Sequence, residues 1–288
     1  MTHKTNIDYS VLDRPEVLQF LFHPRPEVAS ASSHSAVSAG PAAEKDVLIP
    51  VAEGVDIGAR FHMADNSGAN ILFFHGNGEI VADYDELGPV FNQMGLNFLA
   101  VDYRGYGRSS GHPTVSAMMQ DCHIIFDFVQ TWLEQKRFTG PLILMGRSLG
   151  SASVLELAAA RKDLTDGLVV ESGFAFAAPL LQLLGIDPAA LGFKEEEGFR
   201  NIDKIQKFAK PTLIIHAEYD HIIPFSDGEA LYHACASPDK VFLKIPGANH
   251  NDIFLRGLQE YLAAVRKLVD TVMRTANDEY RSKDTHQD

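Results

Sequence analysis

From residue 46 onward, short apolar runs alternate with longer segments in which apolar and polar positions are mixed. The runs at 47–50, 56–62, 71–75, 96–101, 142–145, 167–171, 212–216 and 241–245 have strand length and strand composition. Between them, helical spacing is read over 81–94, 115–135, 149–162, 202–208, 226–236 and 252–273. A run such as Leu142-Ile143-Leu144-Met145 is apolar on consecutive positions, which suits a strand buried on both faces. The pattern therefore predicts an α/β fold: a mostly parallel central sheet of about eight strands, with helices on both faces. The first two strands, joined through Glu53-Gly54, are expected to form an antiparallel hairpin at one edge.

Residues 1–45 show no strong period. The stretch 29–43 is rich in Ser and Ala and broken by Gly40-Pro41, so a flexible link is expected there. Ahead of it, the apolar piece 17–22 and the following His23-Pro24-Arg25-Pro26 are expected to dock on the body as a short helix or strand. The globular domain is placed at 46–273, with a polar tail at 274–288. With 288 residues, 45% hydrophobic and 22% charged, one domain of this size can bury a substantial core.

No apolar stretch approaches the ~20 residues that span a bilayer. The N-terminus has no basic region followed by an apolar run and cleavage site, and Thr2 stands where myristoylation needs glycine, so a cytoplasmic location is expected. The net charge of −13 disfavours nucleic acid and anionic membrane surfaces as partners. Cys122 and Cys235, each in a predicted helix, support neither a disulfide framework nor a zinc site, and Cys122 reads as a core residue rather than a nucleophile.

Candidate chemistry begins at Gly146-Arg147-Ser148-Leu149-Gly150, a G-x-S-x-G sequence that follows a buried strand and precedes an Ala- and Leu-rich helix. In that setting the turn is tight, glycines at −2 and +2 avoid collisions, and the serine is held at the C-terminal edge of the sheet. The N-terminal N–H groups of the next helix point at the same place and favour negative charge there. A tetrahedral intermediate needs two aimed donors. Leu149 N–H supplies one, and Asn77, in the loop His75-Gly76-Asn77-Gly78 after another apolar strand, is the candidate for the second, with Gly78 as the alternative. His75, at a strand end, is given a structural role.

A serine hydroxyl becomes a useful nucleophile when a neutral imidazole takes its proton and a carboxylate stabilises the resulting cation. Asp220 lies in the exit loop of the strand at 212–216, and His250 in the glycine turn after the last strand. The order Ser148, Asp220, His250 is the one expected for this strand–turn–helix arrangement. Glu218 is the second choice for the acid. His216, His221 and His233 are weaker candidates for the base, and Asp227 and His233, inside a predicted helix, are expected to face solvent. This chemistry needs no cofactor and no metal.

The segments HGNG at 75–78, DYRGYGRSSG at 102–111, GRSLG at 146–150, HAEYDHIIP at 216–224 and GANH at 247–250 resemble the α/β-hydrolase family. They are similar in particular to its small-lidded branch of depalmitoylases and serine peptidase-like relatives. The resemblance covers about residues 46–272 and implies the α/β-hydrolase fold, Ser148, Asp220 and His250 as catalytic triad, and Asn77 with Leu149 as oxyanion hole. It also implies that Gly105 and Gly107 let their loop fold near the site, with Arg104 structural. Depalmitoylases of this branch carry a cysteine-rich N-terminus and many relatives a membrane anchor. This sequence has no cysteine before Cys122, which argues against depalmitoylation of membrane proteins.

In such a fold, 172–210 is the place of a lid, here a short one. Its apolar positions, among them Phe174, Leu180 and Leu184, have helical spacing that fits either an acyl-binding wall or a helix packed on the core. The expected activity is cleavage of a small-molecule acyl ester or thioester. An amidase or peptidase using the same triad, and a noncatalytic binding scaffold of the same fold, are the alternatives.

Overall fold

In the computed structural model, residues 7–28 and 46–284 are described. The strands are β1 (Asp46–Ala52), β2 (Val55–His62), β3 (Asn70–Phe74), β4 (Asn97–Val101), β5 (Leu142–Arg147), β6 (Gly167–Glu171), β7 (Thr212–Ala217) and β8 (Lys240–Ile245). They form one sheet in the order β1-β2-β4-β3-β5-β6-β7-β8, with β1/β2 and β2/β4 antiparallel and every later pair parallel. The edge hairpin turns at Gly54, whose φ of +68° suits glycine. The register aligns Phe74 with Gly146 and Gly146 with Val170, so the loops leaving β3, β5 and β6 emerge side by side.

Alternation along the strands sorts the core into two layers. Leu72, Phe74, Leu144 and Val170 pack on one face under α3 (Val115–Lys136), α4 (Gly150–Ala160) and α8 (Phe225–Ala234). Ile71, Phe73, Met145 and Val169 pack on the other under α2 (Leu87–Gln93) and α9 (Ile253–Asp284). Cys122 lies in the first layer, fully buried, with its Sγ against the Met119 carbonyl.

The helix expected over 81–94 is in fact two pieces, a 3₁₀ turn at Val81–Tyr84 and then α2. Pro89 lies in the first turn of α2, where its missing N–H is tolerated, but in a helix running from residue 81 it would fall in the interior and its ring would collide with the carbonyl four residues back, so the helix starts afresh at Leu87. The last helix begins as expected and continues to Asp284, kinked at Gly257, where a Cβ would lie 2.6 Å from Ile245 Cγ2. No helix among the described residues is long and apolar enough to cross a membrane.

The piece at 17–22 docks as a helix, α1 (Pro15–Leu21), burying Val17, Leu21 and Phe22 in the first layer. The link expected at 29–43 lies outside the described residues. The 172–210 segment folds as α5 (Ala177–Leu183), α6 (Pro188–Leu191), a 3₁₀ turn at Glu195–Glu197 and α7 (Asn201–Ile205).

One buried ion pair ties this segment and the N-terminus to the body. Lys204 on α7 lies 2.8 Å from Glu156 on α4 and donates to the Tyr9 hydroxyl at 3.3 Å. Burial pushes the Lys204 ammonium down, and the Glu156 carboxylate opposes that shift. Removing one partner of a buried pair strands the other charge. Lys204→Met is expected to lower the urea-unfolding free energy by about 3–5 kcal/mol, and a loss under ~1 kcal/mol would show that the pair is not integral to the core.

Candidate active site

β5 ends at Arg147 and α4 starts at Gly150, leaving Ser148 and Leu149 to make the turn. Ser148 has φ +51°, a left-handed conformation that costs a side-chain-bearing residue roughly 1–2 kcal/mol. The flanking glycines are required by contact. A Cβ on Gly150 would lie 2.1 Å from the Phe74 carbonyl oxygen, and one on Gly146 would lie 2.5 Å from that of Gly150. Ser148 N–H donates to the Glu171 carbonyl at 2.8 Å, which fastens the turn to β6.

The three residues named from sequence meet at this edge. Ser148 Oγ is 3.0 Å from His250 Nε2, and His250 Nδ1 is 2.7 Å from Asp220 Oδ2. The other Asp220 oxygen accepts from the N–H groups of Ile222 and Ile223 at 3.0 and 2.8 Å. Burial pushes the Asp220 carboxyl up, but His250 and those two N–H groups outweigh it and hold it below the ordinary carboxylate value. Ser148 and His250 are 8% and 4% exposed, so both side chains are largely shielded from water.

Leu149 N–H and Asn77 N–H sit at the turn and in the loop after β3. Among the described residues, neither donates to a protein acceptor. His75 is fully buried, with Nδ1–H donating to the Gly76 carbonyl at 2.8 Å and Nε2 3.1 Å from Asp102. Arg104 forms a two-pronged pair with Asp121, at 2.7 Å on each prong. Both therefore sit in structural contacts.

The competing acids and bases occupy other positions. Glu218 accepts from Lys244 Nζ at 2.8 Å and from Gly247 N–H at 2.9 Å, bracing the turn that carries His250. His233 is exposed, as expected. Asp227 is not: it is 7% exposed and accepts from Ala175 N–H at 2.7 Å, because the start of the lid folds down over α8. His216 lies under Asp220, 3.6 Å from Oδ2, and its Nε2–H donates to the Ile223 carbonyl at 2.9 Å, fixing the 220–223 loop.

Sequence reasoning missed a buried charge network directly beneath the serine. Arg147 Nε is 3.0 Å from Glu79 and 3.5 Å from Glu171, and its Nη2 donates to the His250 carbonyl at 3.0 Å. Glu79 accepts from Gly76 N–H and the Tyr84 hydroxyl, and Glu171 from the Tyr261 hydroxyl. Burial alone would weaken the Arg147 cation, but Glu171 and Glu79 hold it charged. A single residue thus links the loops carrying Gly76, Ser148 and His250. The signal was an arginine inside a tight, apolar turn, which requires a buried counter-charge.

Beside the Asp220 side of the site lies a groove of about 330 Å³ whose lining includes Phe174, Phe176, Leu180, Leu183, His221 and Asp227. Phe174 and Leu180 are on its wall. Leu184, the cap residue just past the end of α5, is not; it is half-buried and packs against the first core layer.

A family model described as serine aminopeptidase, S33, matches residues 65–190. The chain is 33% identical over 215 residues to α/β-hydrolase domain-containing protein 17B of Homo sapiens, covering 71% of this chain and 67% of that protein. It is 32% identical over 211 residues to lysophosphatidylserine lipase ABHD12 of Xenopus tropicalis, covering 66% of this chain and 53% of that one. Among solved structures, Est1E from Butyrivibrio proteoclasticus with ferulic acid bound superposes with a TM-score of 0.65 at 18% identity, over 78% of this chain and 99% of that one. The chain belongs to the α/β-hydrolase family.

Burial pushes the His216 imidazole below its ordinary value, against the raising effects of the Ile223 carbonyl and Asp220. The folded protein therefore keeps His216 neutral where the unfolded chain, with a pKa of ~6.5, takes up a proton. Stability from this position is lost as pH falls through ~6.5. The difference in unfolding free energy between wild type and His216→Gln should fall by up to about 1.4 kcal/mol per pH unit below that point. A difference that stays constant between pH ~7.5 and ~5.5 would contradict this assignment.

Proposed function

We propose that this protein is a serine hydrolase that cleaves carboxylic esters or thioesters through an acyl-enzyme intermediate, with Ser148 as nucleophile, His250 as general base and acid, and Asp220 as the group that orients His250. The observation that carries the reading is the continuous hydrogen-bonded path from Ser148 Oγ through His250 to Asp220 at the C-terminal edge of the sheet.

In this mechanism, Ser148 Oγ attacks the acyl carbon while its proton passes to His250 Nε2. The imidazolium is stabilised by Asp220 at Nδ1, and the oxyanion by the N–H groups of Asn77 and Leu149. His250 then protonates the departing alkoxide or thiolate. A water, deprotonated by the same nitrogen, attacks the acyl group and restores the serine. The relative from Xenopus tropicalis bears the name of a lipase, which accords with an ester substrate. The apolar part of the groove, Phe176, Leu180 and Leu183, suits a short to medium acyl chain. A second reading, amide cleavage by the same residues, is favoured by the description of the matching family model.

The test is hydrolysis of p-nitrophenyl esters of increasing chain length, beside Ser148→Ala. Loss of the serine should lower kcat by about 10⁴–10⁶. Equal activity in both proteins would exclude Ser148 as nucleophile, and inactivity of wild type on esters but not on anilides would favour the amidase. Leu183→Ala should lower kcat/KM for octanoyl ester by roughly five-fold while sparing acetyl ester. Leu184→Ala, off the groove, should leave the chain-length profile unchanged, and the opposite pattern would place the acyl chain elsewhere.

A further inference from the structure

The segment running from Phe22 to Glu27 crosses directly over the loop after β3. Its anchors lie on both sides of the crossing. Upstream, Leu21 and Phe22 are buried in the core. Downstream, Gly107 N–H donates to the Arg25 carbonyl at 2.9 Å, Glu27 N–H donates to the Gly107 carbonyl at 3.1 Å, and the Glu27 carboxylate is 2.9 Å from Arg60. Between the anchors, His23 N–H donates to Asn77 Oδ1 at 2.8 Å, and Arg25 Nε donates to the Gly78 carbonyl at 2.7 Å while its outer nitrogen pairs with Asp83. The Tyr106 hydroxyl completes the crossing, donating to Asn77 Oδ1 at 2.7 Å and accepting from His23 N–H at 2.8 Å.

These contacts bear on a loop whose Asn77 side chain is held from outside the loop, by His23 N–H and the Tyr106 hydroxyl. Asn77 is flanked by Gly76 and by Gly78 at φ +76°, both free of the restraint that a Cβ imposes. A donor that stabilises an oxyanion works because its direction is fixed before the reaction begins. Glu79 fixes the Gly76 end from below. The side chain of Asn77 and the carbonyl of Gly78 are held from above, by the N-terminal segment and Tyr106.

We infer that residues 22–27 form a strap that aims the Asn77 N–H at the reacting carbonyl oxygen, with Arg25 and Tyr106 as positioning residues. The inference rests on the serine hydrolase reading above, and gives the N-terminal segment a part in turnover separate from its part in stability. The strap touches the loop and not the groove, so its loss should reduce transition-state stabilisation while leaving ground-state binding in place. Arg25 and Asp83 are 44% and 39% exposed, and an exposed pair contributes little to stability, so Arg25 variants should fold.

The experiment is the rate of labelling by an alkyl fluorophosphonate, resolved into a maximal rate and a half-saturating concentration. In this reaction Ser148 Oγ bonds to phosphorus, fluoride leaves, and the serine proton passes to His250. Wild type, Ser148→Ala, Arg25→Ala, Arg25→Lys and Tyr106→Phe are compared, with thermal unfolding of each. The strap predicts that Arg25→Ala and Tyr106→Phe lower the maximal rate by roughly ten-fold at unchanged half-saturation, a fraction of the 10²–10³ that follows loss of a whole oxyanion donor. Arg25→Lys, which can still reach the Gly78 carbonyl, should recover part of the rate. If Ser148→Ala is unlabelled but both strap variants fold and label like wild type, or change only half-saturation, the strap is overturned and the hydrolase reading stands. If Ser148→Ala labels like wild type, or wild type does not label, the hydrolase reading fails and the strap falls with it.

Discussion

Ser148 occupies a left-handed backbone conformation, and the rest of the site depends on the packing that keeps it there. The turn is tight because α4 is pressed so closely onto β3 that no side chain fits at Gly150. It is fixed laterally because the serine N–H joins the hydrogen bonding of β6. Local strain of this kind persists when the surroundings over-determine it. Here the surroundings are a parallel sheet buried on both faces, with two apolar layers holding its strands in register.

The same sheet gathers the chemistry. Parallel strands release their loops at one edge, so residues far apart in sequence arrive within hydrogen-bond reach of one another. The loops are then locked by buried charges rather than by apolar contact. Arg147 joins Glu79, Glu171 and the His250 backbone, and His216 holds the loop of Asp220 from beneath. In a site this dry, fixed dipoles and charges act with little screening, so small errors in their direction matter. That is the physical reason for a network of braces under the loops and a strap above one of them.

Much of this was legible in the sequence. The eight strands are β-rich runs, and all eight form where the runs predict; the inner ones, such as β3, β5 and β6, are buried on both faces, which leaves a strand no polar alternative. Ser148, Asp220 and His250 were legible for a related reason, since each follows such a run and is set off by a glycine or loop signal. Other features depend on contacts between distant segments. The break before α2 was visible in principle at Pro89 but is masked by helical spacing on both sides of it. The burial of Asp227 depends on where the lid folds, and Leu184 lies just past the end of α5 and off the groove, a boundary that apolar spacing does not reveal. Glu79, Glu171 and Arg147 are separated by long stretches of chain, and no periodicity connects them. The docking of His23 on Asn77 and of Arg25 on Gly78 is likewise a property of the assembled fold.

The most direct test of the central claim, that Ser148 carries the acyl group, is to locate the covalent intermediate. The protein would be quenched in acid during turnover of p-nitrophenyl acetate, then analysed by intact mass and by peptide mapping. The account predicts one added acetyl group, on the peptide containing Ser148, which disappears as substrate is exhausted. An acetyl group that turns over on a different residue would contradict it.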